Sequence, residues 1–213
     1  MGFGRRLAQL PTDPRVGRMV LAGADEKCLA EVLVIASAIE GQDPRLRPLD
    51  KAESADAAHA EFADASGDII GYLRLWRFLH SVKAKASRSG FQRACESRFI
   101  SPARGREWFE LHRQLRDLAA DHGLGRATMA DKPWGNPKTV DAVHRALLTG
   151  LLSNVAYRSA PHEYTGAHGG KLRLWPGPSV FAAEPKWIVS GEVVETTQRY
   201  ARTIGRVDPA WVE

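Results

Sequence analysis

The sequence has only two cysteines and no long apolar run. Cys28 and Cys95 lie 67 residues apart with no CxxC spacing, which excludes a zinc-finger pattern and a disulfide framework. No stretch approaches the roughly 18 consecutive apolar residues that cross a bilayer, and the first residues do not lead into the apolar core of a signal peptide. We therefore expect a cytoplasmic protein without a membrane partner, in which both cysteines are core thiols.

The motifs of nucleotide and hydrolytic chemistry are also missing. The sequence has no GxxxxGK[ST] phosphate loop and no GxGxxG after a strand, so the backbone cradle for a nucleoside triphosphate is absent. It has no GxSxG elbow and no HExxH pair, and its seven histidines are scattered without ligand spacing. We therefore expect this chain alone to be no enzyme and to hold neither a metal nor a cofactor.

The charge is divided between two neighbouring segments. Residues 74–116 carry eleven Lys or Arg against three acids, whereas residues 21–66 carry ten acids against four bases. The aromatic residues Trp76, Phe78, Phe91, Phe99, Trp108 and Phe109 are interleaved with the bases. This combination favours a nucleic-acid backbone as partner, and the alternative is a set of solvated helix faces.

Apolar periodicity predicts helices over residues 28–39, 66–82 and 104–122. The first is apolar on nearly every face and is expected to be buried, while Trp76 and Trp108 lie on the apolar stripes of the other two. An Asp-Pro-Arg triplet occurs at residues 13–15 and again at 43–45. We expect each triplet to break a helix and to turn its arginine outward, because proline restricts both itself and the preceding residue.

The chain changes character after residue 122. Residues 123–139 combine three glycines with two prolines, which is typical of a linker. One more amphipathic helix follows, and then short alternating runs such as residues 171–175 and 187–190, which predict strands. The pattern is compatible with an oligonucleotide-binding (OB) barrel or with another small barrel.

Many short blocks, in order, resemble the region that follows the motor in DEAH-box RNA helicases, in particular the bacterial HrpA type. In the first half they include LPTDPRVGRMVL (10–21), EVLVIA (31–36) and QDPRLRP (42–48). In the second half they include ALLTGLLSNVA (146–156), PKWIV (185–189) and EVVET (192–196). The resemblance implies a multidomain α + β fold, with a helical ratchet bundle followed by a β-barrel of OB type. Residues 1–20 would be a winged-helix remnant, 21–122 the ratchet, 123–138 a linker and 139–213 the OB domain.

The resemblance further implies a non-catalytic fragment in which ratchet and barrel close over single-stranded RNA. ATP and Mg²⁺ would bind RecA-like motor domains that are not in this chain. Residues expected to hold RNA phosphates are Arg74, Arg98, Arg104, Arg106, Lys171, Arg173 and Arg202. The alternative is a protein-docking module for helicase domains or a regulatory partner, without RNA affinity of its own.

Overall fold

A computed structural model describes residues 12–175 and 184–212, in which a helical region precedes a closed barrel. The α-helices are α1 (Pro14–Asp25), α2 (Leu29–Glu40), α3 (Ala52–His59), α4 (Asp68–Lys85), α5 (Arg88–Glu96), α6 (Pro102–Asp121) and α7 (Pro137–Leu151). The helices predicted over residues 28–39, 66–82 and 104–122 are confirmed as α2, α4 and α6. Residues 1–11 of the expected winged-helix remnant lie outside the described residues, and α1 runs through its expected end at residue 20.

The two Asp-Pro-Arg triplets differ from each other and from the prediction. Asp13 caps α1 by accepting a hydrogen bond from the Arg15 backbone N–H at 2.7 Å, with Pro14 as the first helical residue. This triplet therefore starts a helix, because the fixed φ of proline suits that position. In the second triplet Arg45 turns inward and pairs with Asp43 at 2.7 Å. The expected outward arginine is thus found at Arg15, which is exposed, and is wrong for Arg45.

The helical core is built around α2, in which ten of twelve residues are buried. Trp76 of α4 and Trp108 of α6 are buried beside it, with their ring centroids 5.0 Å apart. The Trp108 indole N–H donates to the Val34 carbonyl of α2 at 3.0 Å, which satisfies its polar atom. Both tryptophans and both cysteines are core residues, as predicted.

The second part of the chain is a closed barrel of antiparallel strands with one parallel pair. The described strands are β1 (Val155–Ala160), β2 (Glu163–Gly166), β3 (Lys171–Leu174), β4 (Trp187–Glu195) and β5 (Arg199–Arg206). Their order around the barrel is β1-β2-β3-β5-β4, and β3 pairs with β5 in parallel. The interior is filled by residues such as Tyr164, Ile188 and Ile204. The predicted α + β class with an OB-type barrel is confirmed.

Helix α7 joins the barrel to the helical region. Its apolar face, including Val143 and Leu147, belongs to the same buried core as α1 and α2. Gly150 lets α1 approach closely, since a Cβ there would collide with the Arg15 carbonyl oxygen and with the Met19 side chain. The helix that leads into the barrel is therefore also a structural member of the helical bundle.

A second connection runs from the start of α4 to β5. Gly67 forms an isolated antiparallel β-bridge with Gly205, and the Asp68 carboxylate accepts a hydrogen bond from the Ile204 N–H at 3.2 Å. Gly67 has φ +123° and ψ 175°, a conformation essentially restricted to glycine, and a Cβ there would collide with the Ile204 carbonyl oxygen. The helical region and the barrel are thus fixed to each other at the backbone level.

Candidate nucleic-acid interface

A cleft of about 800 Å³ lies between the helical region and the barrel. One wall is formed by the end of α2, by the loop after it and by parts of α4 and α6. The other wall is formed by β4 and β5. The charged residues that line the cleft are Arg15, Arg45, Arg47, Arg104, Arg202, Asp43, Asp56, Asp68 and Glu192.

The base of the cleft is held by a polar network around Asp43. Its carboxylate accepts hydrogen bonds from the backbone N–H and the guanidinium of Arg45, and from the Tyr72 hydroxyl at 3.2 Å. Burial opposes ionisation of Asp43, but the charge of Arg45 and these hydrogen bonds outweigh it, so the pKa of Asp43 lies below its ordinary value. The Tyr72 hydroxyl is also 3.3 Å from the Thr203 hydroxyl of β5. The network therefore spans the cleft floor from the helical region to the barrel.

Most of the cleft arginines already have a carboxylate partner. Arg15 pairs with Asp13 at 3.2 Å, Arg45 with Asp43 as described, and Arg47 with Asp56 at 2.8 Å. Such pairs fix the side chains in place but reduce the positive potential that an anion would meet.

Arg104 and Arg202 are the arginines most available to an anion. Arg104 donates from its guanidinium to the Asp43 backbone carbonyl at 3.0 Å, and it has no ion pair within the part of the chain that the structure describes. Arg202 is 3.9 Å from the Glu192 carboxylate, beyond hydrogen-bond distance, and its guanidinium lies 4.7 Å from the centroid of the Trp175 ring. Both were predicted from the sequence as phosphate-binding residues, and the structure brings them to opposite walls of one cleft.

The other predicted residues of the helical region do not line this cleft. Arg74 pairs with the buried Asp64 at 2.9 Å and lies over the ring of Trp134, which belongs to the predicted linker. Arg98 pairs with Glu61 and stacks on Phe78 at 4.6 Å. Arg106 is exposed on α6. The basic side chains of residues 74–116 therefore lie on several different surfaces and do not form one patch.

Two predicted residues lie on the outer surface of the barrel. Lys171 and Arg173 alternate with the buried Leu172 and Leu174 on β3, so their side chains face outward. Lys171 pairs with Glu163 of β2 at 2.9 Å. Neither residue lines the cleft.

Part of the cleft lining was not predicted from the sequence. Arg45 and Arg47 lie in a segment that is acidic on balance, and their signal was the QDPRLRP block, in which two arginines lie close together. Trp175 was also missed, although it continues the alternation of β3 outward after Leu174 and is 38% exposed. The aromatic residues interleaved with bases were a weaker signal, because Trp76, Phe91, Trp108 and Phe109 are all buried.

Metal binding and membrane insertion find no support among the described residues. Residues 12–175 and 184–212 contain no group of three or more His, Cys, Asp or Glu that could hold a metal ion. No helix among these residues combines the length and the apolar character that a membrane-spanning segment needs.

Two family models match the chain. The model described as the helicase associated domain (HA2), ratchet-like, matches residues 13–73, and the model described as an oligonucleotide/oligosaccharide-binding (OB)-fold matches residues 143–213. The first covers α1 to the start of α4, and the second covers the barrel together with most of α7. The barrel wall of the cleft falls in the second matched region and most of the helical wall in the first, whereas Arg104 on α6 lies between the two matches.

Three curated proteins are similar over nearly the whole chain. The ATP-dependent RNA helicase HrpA of Escherichia coli K12 is 37% identical over 99% of this chain, and a homologue from Haemophilus influenzae is 35% identical over the same share. The DExH-box ATP-dependent RNA helicase DExH1 of Arabidopsis thaliana is 29% identical over 94% of the chain. The chain spans 16% of the length of the two bacterial relatives and 20% of the plant relative.

Proposed function

We propose that this chain, which is similar to the HA2 and OB-fold region of HrpA-type RNA helicases, binds single-stranded RNA in the cleft between the helical region and the barrel. The observation that carries the proposal is the position of Arg104 and Arg202 on opposite walls of one open cleft. Arg104 has no ion pair among the described residues and Arg202 has only a long one with Glu192, so both guanidinium groups suit phosphates of a strand passing between them.

The two walls of the cleft do not need to move for RNA to bind. A β-bridge and a hydrogen bond between the start of α4 and β5 fix the barrel to the helical region. Helix α7 belongs to both parts. The cleft is therefore preformed, which lowers the entropic cost of binding. The RNA is held by phosphate contacts that are independent of sequence.

We assign no bond cleavage to this chain. We assign ATP, Mg²⁺ and hydrolysis to RecA-like motor domains, with which this region would associate. The role of this chain is to hold the strand while the motor moves it.

The test is the binding of the 213-residue chain to a fluorescently labelled oligo-U strand, followed by anisotropy at several salt concentrations. Each phosphate contact to a single strand contributes about 0.7 to the slope of log affinity against log salt. We expect Arg104→Gln and Arg202→Gln each to weaken binding and to reduce this slope by about 0.7. Circular dichroism of each variant establishes that it is folded.

Arg106→Gln is the matched control, because Arg106 lies on the same helix as Arg104 but outside the cleft lining. We expect it to leave both affinity and slope nearly unchanged. A larger effect of Arg106→Gln than of either cleft variant would contradict the proposed location of the RNA.

A second candidate function, docking onto helicase motor domains, is favoured by a different observation. Leu49 is 95% exposed and Leu46 is 37% exposed in the segment between α2 and α3, so two apolar side chains close in sequence are accessible to a partner. Under this alternative, the folded chain does not bind oligo-U even at low salt. The same titration therefore separates the two functions.

A further inference from the structure

An aromatic pair stands at the edge of the barrel, outside its core. Trp175 and Tyr200 are perpendicular, with ring centroids 5.4 Å apart, and neither belongs to the buried cluster that fills the barrel. The Trp175 backbone N–H donates to the Ala201 carbonyl at 2.9 Å, which continues the parallel pairing of β3 with β5. The backbone that carries both rings is thus fixed by strand pairing.

A second cavity, of about 300 Å³, opens beside this pair. It is lined by Arg47, Trp175, Thr196 and Tyr200. Trp175 and Arg47 line the larger cleft as well, so the two spaces adjoin each other. A volume of this size is at the lower end of pockets that hold small ligands.

The chemistry of the lining matches a nucleobase with its phosphate. Two aromatic rings offer a stacking surface, and every base has a face that can stack. Arg47, which is paired with Asp56, lines the cavity, and the Arg202 guanidinium lies 4.7 Å from the centroid of the Trp175 ring, so two cations are close to the stacking surface. The Thr196 hydroxyl donates to the Gln198 carbonyl at 3.2 Å, so its oxygen keeps lone pairs for the edge of a base.

We infer that the second cavity is a base-stacking subsite, in which one nucleobase of the strand in the cleft stacks on Trp175 beside Tyr200. This inference rests on the proposed function, because it needs RNA in the adjoining cleft. It adds a contact that is independent of phosphate charge. Binding should then have a component that persists at high salt and depends on the presence of bases.

The test compares three proteins on two strands. The strands are a labelled oligo-U and a strand of equal length whose internal nucleotides are abasic. The proteins are the unaltered chain and Trp175→Ala, with Trp175→Phe to restore an aromatic ring. We expect Trp175→Ala to bind oligo-U about 5- to 150-fold more weakly, as the loss of one stacked base implies, and to bind the abasic strand as well as the unaltered chain does. Trp175→Phe should recover most of the affinity.

Tyr157→Ala is the matched control. Tyr157 is an exposed aromatic residue of the same barrel, paired with Trp187 at 5.6 Å, and it lines neither cavity. We expect it to leave binding to both strands unchanged. Tyr200→Ala offers a second removal from the subsite if Trp175→Ala fails to fold by circular dichroism.

The outcomes separate the subsite from the cleft. Equal oligo-U affinity of Trp175→Ala and the unaltered chain, with the salt slope retained, overturns the subsite and leaves the cleft proposal intact. An equal loss on both strands also overturns it, because Trp175 would then act by positioning Arg202. If the folded chain binds neither strand at low salt, the cleft proposal itself fails and the subsite with it.

Discussion

Gly67→Ala is expected to damage the connection between ratchet and barrel directly. Gly67 lies at the point where the start of α4 forms a bridge with β5. Its φ of +123° is unfavourable for alanine, and the new methyl group would meet the Ile204 carbonyl oxygen of β5. The substitution therefore tests whether this backbone contact fixes the two walls of the cleft.

The magnitude has two parts. Backbone strain at a conformation restricted to glycine costs about 1–3 kcal/mol. Overpacking against a backbone atom that cannot move freely costs about 1–3 kcal/mol more. The free energy of unfolding should therefore fall by about 2–6 kcal/mol, a large share of the 5–15 kcal/mol that is typical of folded proteins.

The assay is urea unfolding at equilibrium, followed by circular dichroism for the helices and by tryptophan fluorescence. Gly123→Ala is the matched control, because Gly123 has φ +77° and has no atom within 4 Å of a Cβ. It should lose only the strain contribution, about 1–2 kcal/mol. A loss for Gly67→Ala no greater than for Gly123→Ala would refute the reasoning, because the contact with β5 would then yield without cost.

Two further predictions concern charge. Burial, with a smaller contribution from the charge of Arg116, lowers the pKa of His112 from 6.5 to about 4. Between these values the unfolded chain takes up a proton that the folded chain does not, so the contribution of His112 to the free energy of unfolding should fall by roughly 2 kcal/mol from pH 7 to pH 5. Urea unfolding at both pH values should show a smaller difference for His112→Gln, and an unchanged difference would contradict the assignment. Arg45→Met should cost about 2–4 kcal/mol, because it leaves Asp43 without its main partner in a partly buried site. Arg47→Met removes an exposed pair and should cost less than about 1 kcal/mol in the same assay; equal costs would argue against a special role of the Asp43 network.

Local pattern was enough to predict the long helices and individual strands, whereas the OB type of the barrel was implied by the resemblance to helicases. Apolar residues at spacings of three and four placed Trp76 and Trp108 in the core, and alternation in residues 171–175 predicted β3. Helix α5 was not predicted, because it is short and mostly polar. Only Phe91 and Cys95 are buried, so its apolar periodicity is weak.

The cleft was beyond prediction from local pattern, because its parts are distant in sequence. The Tyr72 and Thr203 hydroxyls that meet on its floor are 131 residues apart. The inward turn of Arg45 depends on Asp43 and on the ring of Tyr72, which lies 5.1 Å from the guanidinium carbon. A count of charges per segment gives no information about such partners, which is why Arg74 and Arg98 looked as available as Arg104.

Helix α7 packs in the helical bundle and also leads into the barrel, so the chain cannot be cut between the two without exposing apolar surface. A cut placed in the glycine- and proline-rich stretch before α7 would leave α1 without the surface that Gly150 lets it approach. The amino-terminal piece would expose part of the apolar core, and the carboxy-terminal piece would carry a helix with one unburied face. The boundaries of sequence families, at residues 73 and 143, are therefore poor places to design expression clones. The smallest piece suited to crystallography or binding work keeps α1 and the barrel in one polypeptide.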